Sequence, residues 1–404
     1  MHLFNRCLLL LLLSALPVRA QLTVSNAVAE AVARHPELKS ARQRIEAATG
    51  RAVQARLWEN PELELSAEDV PINAGGMSQS KNMIGIAQTV PFPGKKSLDT
   101  GIGRKEVTVA EWEYRRREIE LARDVKSVFC RALAARQKLA VAGQLAELAG
   151  STAAAARKRV EAGAAGDQEQ LRAEVEQERV VVELTSARRE LAEAQKTLAS
   201  LVGRVVEPVG ELAEQVRRPS LDRARERMLA GHPEMHVARV GRDKAELELR
   251  RAKLDPLPDV RFGVAGGRDL AAHETMMEFR VSLPLPIFDR SQGRKREARA
   301  QTEIARYDIS AVELRLTREL NLLDERLRAA GEQVETYRVR ILPKAEAAAR
   351  LVRTGFESGK FSLLDMLDTQ RTAVETRLAY LDKLLELNLA VAELEALAGN
   401  LTKD

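Results

Sequence analysis

The sequence predicts a mixed α/β membrane protein in which each chain supplies four barrel strands and two long antiparallel helical hairpins. Three observations predict it. One pattern occurs twice in the 404 residues, some of its helical runs are too long for a globule, and each copy holds a short alternating segment of barrel-strand character.

The repeat is legible in four landmarks. His35-Pro36-Glu37, Asn60-Pro61-Glu62, Val90-Pro91-Phe92-Pro93 and Glu161-Ala162-Gly163 recur in order as His232-Pro233-Glu234, Leu257-Pro258-Asp259, Leu283-Pro284-Leu285-Pro286 and Glu357-Ser358-Gly359. The offsets run from 193 to 197 residues, which is the signature of a tandem duplication. The expected division is a leader at 1–20, a first repeat at 21–210 and a second at 211–404. Strand hairpins are expected at about 61–91 and 258–284, and helical tips near 163 and 359.

Arg6, the leucine-rich run from Cys7 to Leu16 and the small-residue site Val18-Arg19-Ala20 read as a secretory signal peptide with cleavage before Gln21. Its loss would lower the formal charge from +5 to +3 by removing Arg6 and Arg19, and would leave Cys130 as the sole cysteine. No internal disulfide is then possible, and without a cysteine after the apolar run no lipid anchor is expected. Basic and acidic residues number 64 and 59 and are interspersed, so nucleic-acid binding has no support. No later stretch approaches eighteen continuous apolar residues, so any membrane crossing must use strands.

Leu22 to Trp58 carries apolar residues at helical spacing, with Thr23 as its cap. Lys96 to Val160 lacks proline and would extend about 100 Å as one helix. Its counterpart, Ser291 to Thr354, risks a break at Pro343. Helices at 167–201 and 362–397 follow each long run through a glycine turn, giving antiparallel hairpins that hide narrow apolar stripes. A polar linker around Gly210 to Pro219 separates the repeats.

Between the helices, Leu63, Leu65 and Ala67 alternate with Glu62, Glu64 and Ser66, and a Gly75-Gly76 turn leads to Ile84 and Ile86 on a return strand. Val260, Phe262 and Val264 likewise alternate with Asp259, Arg261 and Gly263, then Met277, Phe279 and Val281 with Glu278, Arg280 and Ser282. Such strands suit a barrel with one face in lipid, although an ordinary half-buried sheet shares the pattern. Four strands cannot close a barrel, so several chains must pool them, and three would give twelve.

These residues resemble the outer membrane efflux protein family, the TolC-like exit ducts of Gram-negative bacteria. The most specific match is Arg353-Thr354-Gly355-Phe356-Glu357-Ser358-Gly359-Lys360-Phe361-Ser362-Leu363-Leu364-Asp365-Met366-Leu367-Asp368 at the second tip. Within the family the chain is most similar to the cobalt-zinc-cadmium efflux branch. The resemblance implies a homotrimer with a twelve-stranded barrel in outer membrane lipid and a long periplasmic helical barrel. It also implies docking to a periplasmic adaptor protein and an inner-membrane RND pump. Substrates would pass passively, divalent heavy-metal cations first among them. Drugs or other small molecules are the alternative cargo, and a periplasmic helical adaptor or scaffold is the alternative function.

Asp365 and Asp368 share a helical face near a tip, so in a trimer they would form two stacked carboxylate rings at the periplasmic aperture. The alternative is a solvated first helical turn, where acids are favoured in any case. Gly163 and Gly359 permit the tight reversals and would present the tips to the adaptor, unless they are turns without a partner. Glu62, Glu64, Asp259, Arg261, Glu278 and Arg280 are expected to face the aqueous lumen.

His35 and His232 read as structural or capping groups. His232 and His236 lie four apart but lack a third metal ligand. Met276 and Met277 point to opposite faces of a strand. No Gly-x-Ser-x-Gly turn, His-Glu-x-x-His helix or phosphate loop is present, so neither an enzyme nor a cofactor is expected.

Overall fold

The computed structural model describes residues 21–72, 76–216 and 220–399. The expected leader at 1–20, Gly75 of the strand turn and residues 217–219 of the linker lie outside the described residues. Strand β1 (Gln21–Leu22) leads into α1 (Val24–Arg34), whose cap Thr23 accepts from the Asn26 N–H at 3.4 Å. The segment expected as a single helix from Leu22 to Trp58 is two, because Pro36 favours extended angles at His35 (φ −62°, ψ 131°) and α2 (Pro36–Arg56) starts afresh.

The first hairpin, β2 (Glu62–Glu68) and β3 (Lys81–Val90), precedes α3 (Lys95–Glu161), which runs 67 residues unbroken. A glycine turn returns the chain through α4 (Asp167–Val202). The short strand β4 (Glu207–Pro208) pairs parallel with β1, a contact absent from the sequence reading. In the second repeat come α5 (Leu221–Gly231), α6 (Pro233–Leu254), β5 (Val260–Asp269) and β6 (Glu274–Ser282). They are followed by α7 (Gln292–Thr336), α8 (Leu342–Glu357) and α9 (Leu363–Leu397).

Pro343 does not end the second long track. A π turn over Tyr337–Ile341 joins α7 to α8 and places the proline in the first turn of α8, where its missing N–H is least felt.

Where the helices of both repeats converge, Phe129, Leu133, Leu198, Val202, Met228, Met235, Leu316, Leu320 and Leu384 bury one continuous apolar cluster. Each such side chain contributes about 1.5–3 kcal/mol of transfer free energy, so this waist holds the fold together. Towards the tips a smaller cluster of Ala153, Ala156, Ala173, Leu363 and Met366 takes over, its small residues letting the helices approach closely.

At the other end the two hairpins merge into one antiparallel sheet ordered β2-β3-β5-β6, joined between the repeats from Val90↔Val260 to Lys81↔Asp269. Its outer edges, β2 and β6, have no strand partner among the described residues. No described helix is long and apolar enough to cross a membrane.

Candidate functional site

Register sorts the sheet into two unlike faces. Leu63, Ile86, Val264 and Phe279 form one row, and Leu65, Ile84, Gly266 and Met277 the next. The large side chains of this face are bare, with Leu65 at 72% and Phe279 at 77% exposure. In water such a patch marks a contact surface or lipid.

The opposite face carries charge over a floor of small residues. Glu62, Ala87, Gly263 and Arg280 form one row and Glu64, Gly85, Ala265 and Glu278 another. A Cβ on Gly85 would lie 2.7 Å from that of Ala265, so the central strands leave little room for side chains there. Arg261 therefore reaches Glu62 at 2.6 Å and also bonds Glu64, while Arg280 meets Glu64 at 3.1 Å and Glu278 at 3.0 Å. Five of the six expected lumen residues thus form one network.

Asp259 stands apart. It accepts from the Phe92 N–H at 2.7 Å and from Lys95 Nζ at 2.8 Å, and Lys95 also donates to the Leu257 carbonyl at 2.7 Å. Burial raises the Asp259 carboxyl, but the bonds from Lys95 and Phe92 outweigh it and hold the group below the usual range. This aspartate anchors the β3-to-α3 return to the start of β5, a role that alternation alone could not reveal.

The helical tips close alike. Gly163 (φ 73°) and Gly359 (φ 77°) adopt left-handed angles, and the residue after each donates five residues back, Ala164 to Arg159 and Lys360 to Gly355. Nothing lies within 4 Å of a Cβ built on either glycine, so their requirement is backbone conformation. Arg159 of the first tip lies 5.4 Å over the Phe356 ring of the second and pairs with Glu169 at 3.1 Å, linking the two hairpins.

The two aspartates beyond the second tip divide their work. Asp365 accepts from the Ser362 N–H at 3.0 Å and hydroxyl at 2.6 Å while its own N–H donates to Ser362 Oγ, a reciprocal capping box. The Ser362 hydroxyl, followed by its N–H, lowers the Asp365 pKa. Asp368, one turn on, is exposed and lines a groove of about 380 Å³ with Leu171, Val175, Leu364 and Arg371 between α4 and α9.

His232 caps α6 by accepting from the Glu234 N–H at 3.3 Å, whereas His35 makes no such bond. His236 stacks on Trp112 with ring centroids 3.8 Å apart. No group of three or more metal-ligating side chains occurs among the described residues.

One set of contacts escaped sequence reading. The linker is strapped to the waist by Asn388, which bonds both backbone groups of Ala213 at 3.0 Å, and by Tyr380, whose hydroxyl donates to Glu214 at 2.8 Å. Nothing in a polar linker's composition announces these partners.

Comparison with known proteins agrees with this architecture. The outer membrane efflux protein family profile matches residues 27–204 and 224–400, one segment in each repeat. The cobalt-zinc-cadmium resistance protein CzcC of Cupriavidus metallidurans is 28% identical over 94% of this chain and 90% of its own length. Nickel-cobalt-cadmium resistance protein NccC of Alcaligenes xylosoxydans is 28% identical over 33% of this chain and 31% of its own. Among solved structures, CusC superposes with a TM-score of 0.80 at 17% identity, covering 93% of this chain and 92% of that one. VceC of Vibrio cholerae gives 0.78 at 16%, covering 94% and 97%. Repeated architecture, a sheet with one apolar and one charged face, and the two-segment match lead to one assignment: the chain belongs to the outer membrane efflux protein family, as a passive outer-membrane channel with a long helical extension rather than an enzyme.

Proposed function

We propose that three copies of the chain, each with repeats at 21–210 and 211–404, pool twelve strands into a barrel. Their helices continue as a periplasmic tube that receives substrate from an adaptor and an inner-membrane RND pump. The observation that carries this reading is the four-stranded sheet with a bare apolar face and two edges that are open among the described residues. Lipid tolerates such a sheet only when its edges are paired, and further copies of the chain supply those edges. The charged network then lines water, and transport through it is passive.

The test is oligomeric mass and heat-modifiable mobility of protein extracted from outer membranes, followed by conductance in planar bilayers. A trimer that conducts is expected; a water-soluble periplasmic species without conductance would overturn the reading. Divalent heavy-metal cations are the proposed cargo, on the strength of the relative named for cobalt, zinc and cadmium resistance. Deleting the gene in its host should sensitise cells to those ions; sensitivity confined to dyes and drugs would reassign the cargo.

At the tips, Gly163 and Gly359 are proposed to shape the adaptor-docking surface, and Asp365 and Asp368 to ring the aperture. Asp368 is the stronger aperture candidate, because the Asp365 carboxylate is engaged in its cap. Asp368→Ala should raise resting conductance or weaken block by polyvalent cations. If neither changes, the aperture role is lost.

A further inference from the structure

The helices are charged unevenly along their length. In the fifteen residues nearest the sheet of α2, α3, α6 and α7, basic residues number 18 and acidic residues 8. In the fifteen nearest the tips of α3, α4, α8 and α9 they number 10 and 12. The excess of ten at the sheet end is larger than the formal +5 of the whole chain, so the remainder is net acidic. Most acids of the basic band are already engaged, Asp99 with Arg251 at 2.8 Å, Glu106 with Lys244 at 2.9 Å and Asp243 with Lys105 at 2.9 Å. Five exposed cations within about 10 Å of the helix ends, Arg56, Arg250, Lys253, Arg296 and Arg299, have no ion pair among the described residues.

Helical geometry turns these cations away from the paired ones. Lys253 lies two residues beyond Arg251, and Arg296 two beyond Arg294, which approaches Asp255 at 3.6 Å and Asp289 at 3.5 Å. Each is therefore rotated about 200° from a neighbour that has a carboxylate. Arg250 and Lys253 stand three apart and share a face of α6, as Arg296 and Arg299 share one of α7. The helix macrodipole accounts for part of the pattern, since Arg56 and Lys253 lie in the last turns of α2 and α6, where cations are favoured. It cannot account for α7, which starts at this end. The first turn of α7 holds no acid, and its first eight residues carry Arg294, Lys295, Arg296 and Arg299 against Glu297 alone. Cations placed against the dipole call for an anion from outside the chain.

What borders the band tells which anion. In sequence, between the helix ends and the strands, come exposed Leu57, Trp58, Leu285 and Phe288, with Trp58 at 57% and Phe288 at 90%. Beyond them lies the bare apolar face of the sheet, with Leu65 and Phe279. The succession of apolar strands, aromatic residues and unpaired cations matches that of hydrocarbon, interface and headgroup in a leaflet. Long arginine and lysine stems suit the last step, since they lie along apolar surface and carry their charge outwards.

We propose that this collar of cations binds the phosphates of anionic phospholipids in the leaflet that faces the periplasm. The collar's depth rests on the channel reading, in which the bare sheet face lies in hydrocarbon and the helix ends meet its headgroups. Arginine fits the ligand, because its planar fork donates two parallel bonds to a phosphate. A zwitterionic headgroup brings its own ammonium, whereas phosphatidylglycerol leaves its negative charge for the protein to meet.

The experiment is quenching of Trp58 fluorescence by brominated lipid. In a Trp112→Phe background Trp58 is the sole tryptophan. The protein is reconstituted into vesicles of equal phosphatidylglycerol and phosphatidylcholine, with bromine on the chains of one lipid or the other. At about 50 mM salt, brominated phosphatidylglycerol is expected to quench as though enriched roughly threefold or more beside Trp58. That enrichment should vanish in Arg56→Gln/Arg250→Gln/Arg296→Gln/Arg299→Gln. In the parent it should also fade at about 0.5 M salt, a readout that needs no further substitution. Equal quenching by the two lipids, or a preference that survives the four substitutions, would overturn the collar. So would an absence of quenching by either lipid in vesicles that conduct. Vesicles of the parent protein that do not conduct would instead overturn the channel reading.

Discussion

The two repeats lay the same helical track in two ways. From Lys95 to Glu161 the first is one unbroken helix, while the second is a 45-residue helix, a π turn and a further 16 residues. Beside that π turn lies the linker strap, where Arg338 approaches Glu214 at 3.8 Å and Tyr380 donates to the same carboxylate. Burial, then the Glu214 bond, push the Tyr380 phenol up to about 12, so it stays a donor at any physiological pH. Nearly equal tracks therefore differ in hydrogen-bond pattern, and the π turn sits beside the segment that joins the repeats.

The largest effect should come from moving the proline. Glu147 is the exposed α3 residue that corresponds to Pro343 by the 196-residue offset of the tips. Glu147→Pro is expected to destabilise the first track by about 3 kcal/mol, because α3 has no π turn to absorb it. Thermal unfolding of the detergent-extracted protein measures this, and a negligible loss would mean that either track accepts the proline.

Next in size is the packing difference at the tips. A Cβ on Gly355 would lie 2.2 Å from the Phe361 ring, so Gly355→Ala must expel that ring, at a cost of about 1–3 kcal/mol. The first tip has Arg159 at this position, turned instead to Glu169 and Phe356. Local protection of the 355–366 segment against hydrogen exchange should fall while 159–170 stays protected. Equal loss at both tips would show that the hairpins act as one unit.

Much of this was legible because periodicity and duplication are carried by many residues at once. The lengths of the long tracks, the strand alternation and the glycine reversals all follow from local pattern. What was not legible depends on which distant group a side chain finds. Asp259 looks like a strand residue until Lys95, 164 positions away, is seen beneath it. The break at His35 was written in Pro36, but uninterrupted apolar spacing masked it. Pro343 shows the reverse, a breaker absorbed by a π turn that no propensity scale anticipates.

The finest contrast between the repeats lies at their paired histidines, and pH should expose it. His232 is buried, which lowers its pKa, and Glu234 opposes that shift while Arg315 adds to it. Its Nδ1 must also stay unprotonated to accept the Glu234 N–H. An unfolded chain takes up a proton near pH ~6.5, whereas folded His232 waits for a lower pH. Stability contributed at this site is therefore flat above that value and declines as pH falls from it towards the folded value. Unfolding midpoints between pH 7.5 and 5 should fall less in His232→Gln than in the parent. His35→Gln removes no capping bond and serves as the control, since His35 holds the matching position without one. Equal pH slopes in parent and His232→Gln would mean that the waist senses acid elsewhere, and that the two histidine-proline starts differ in packing alone.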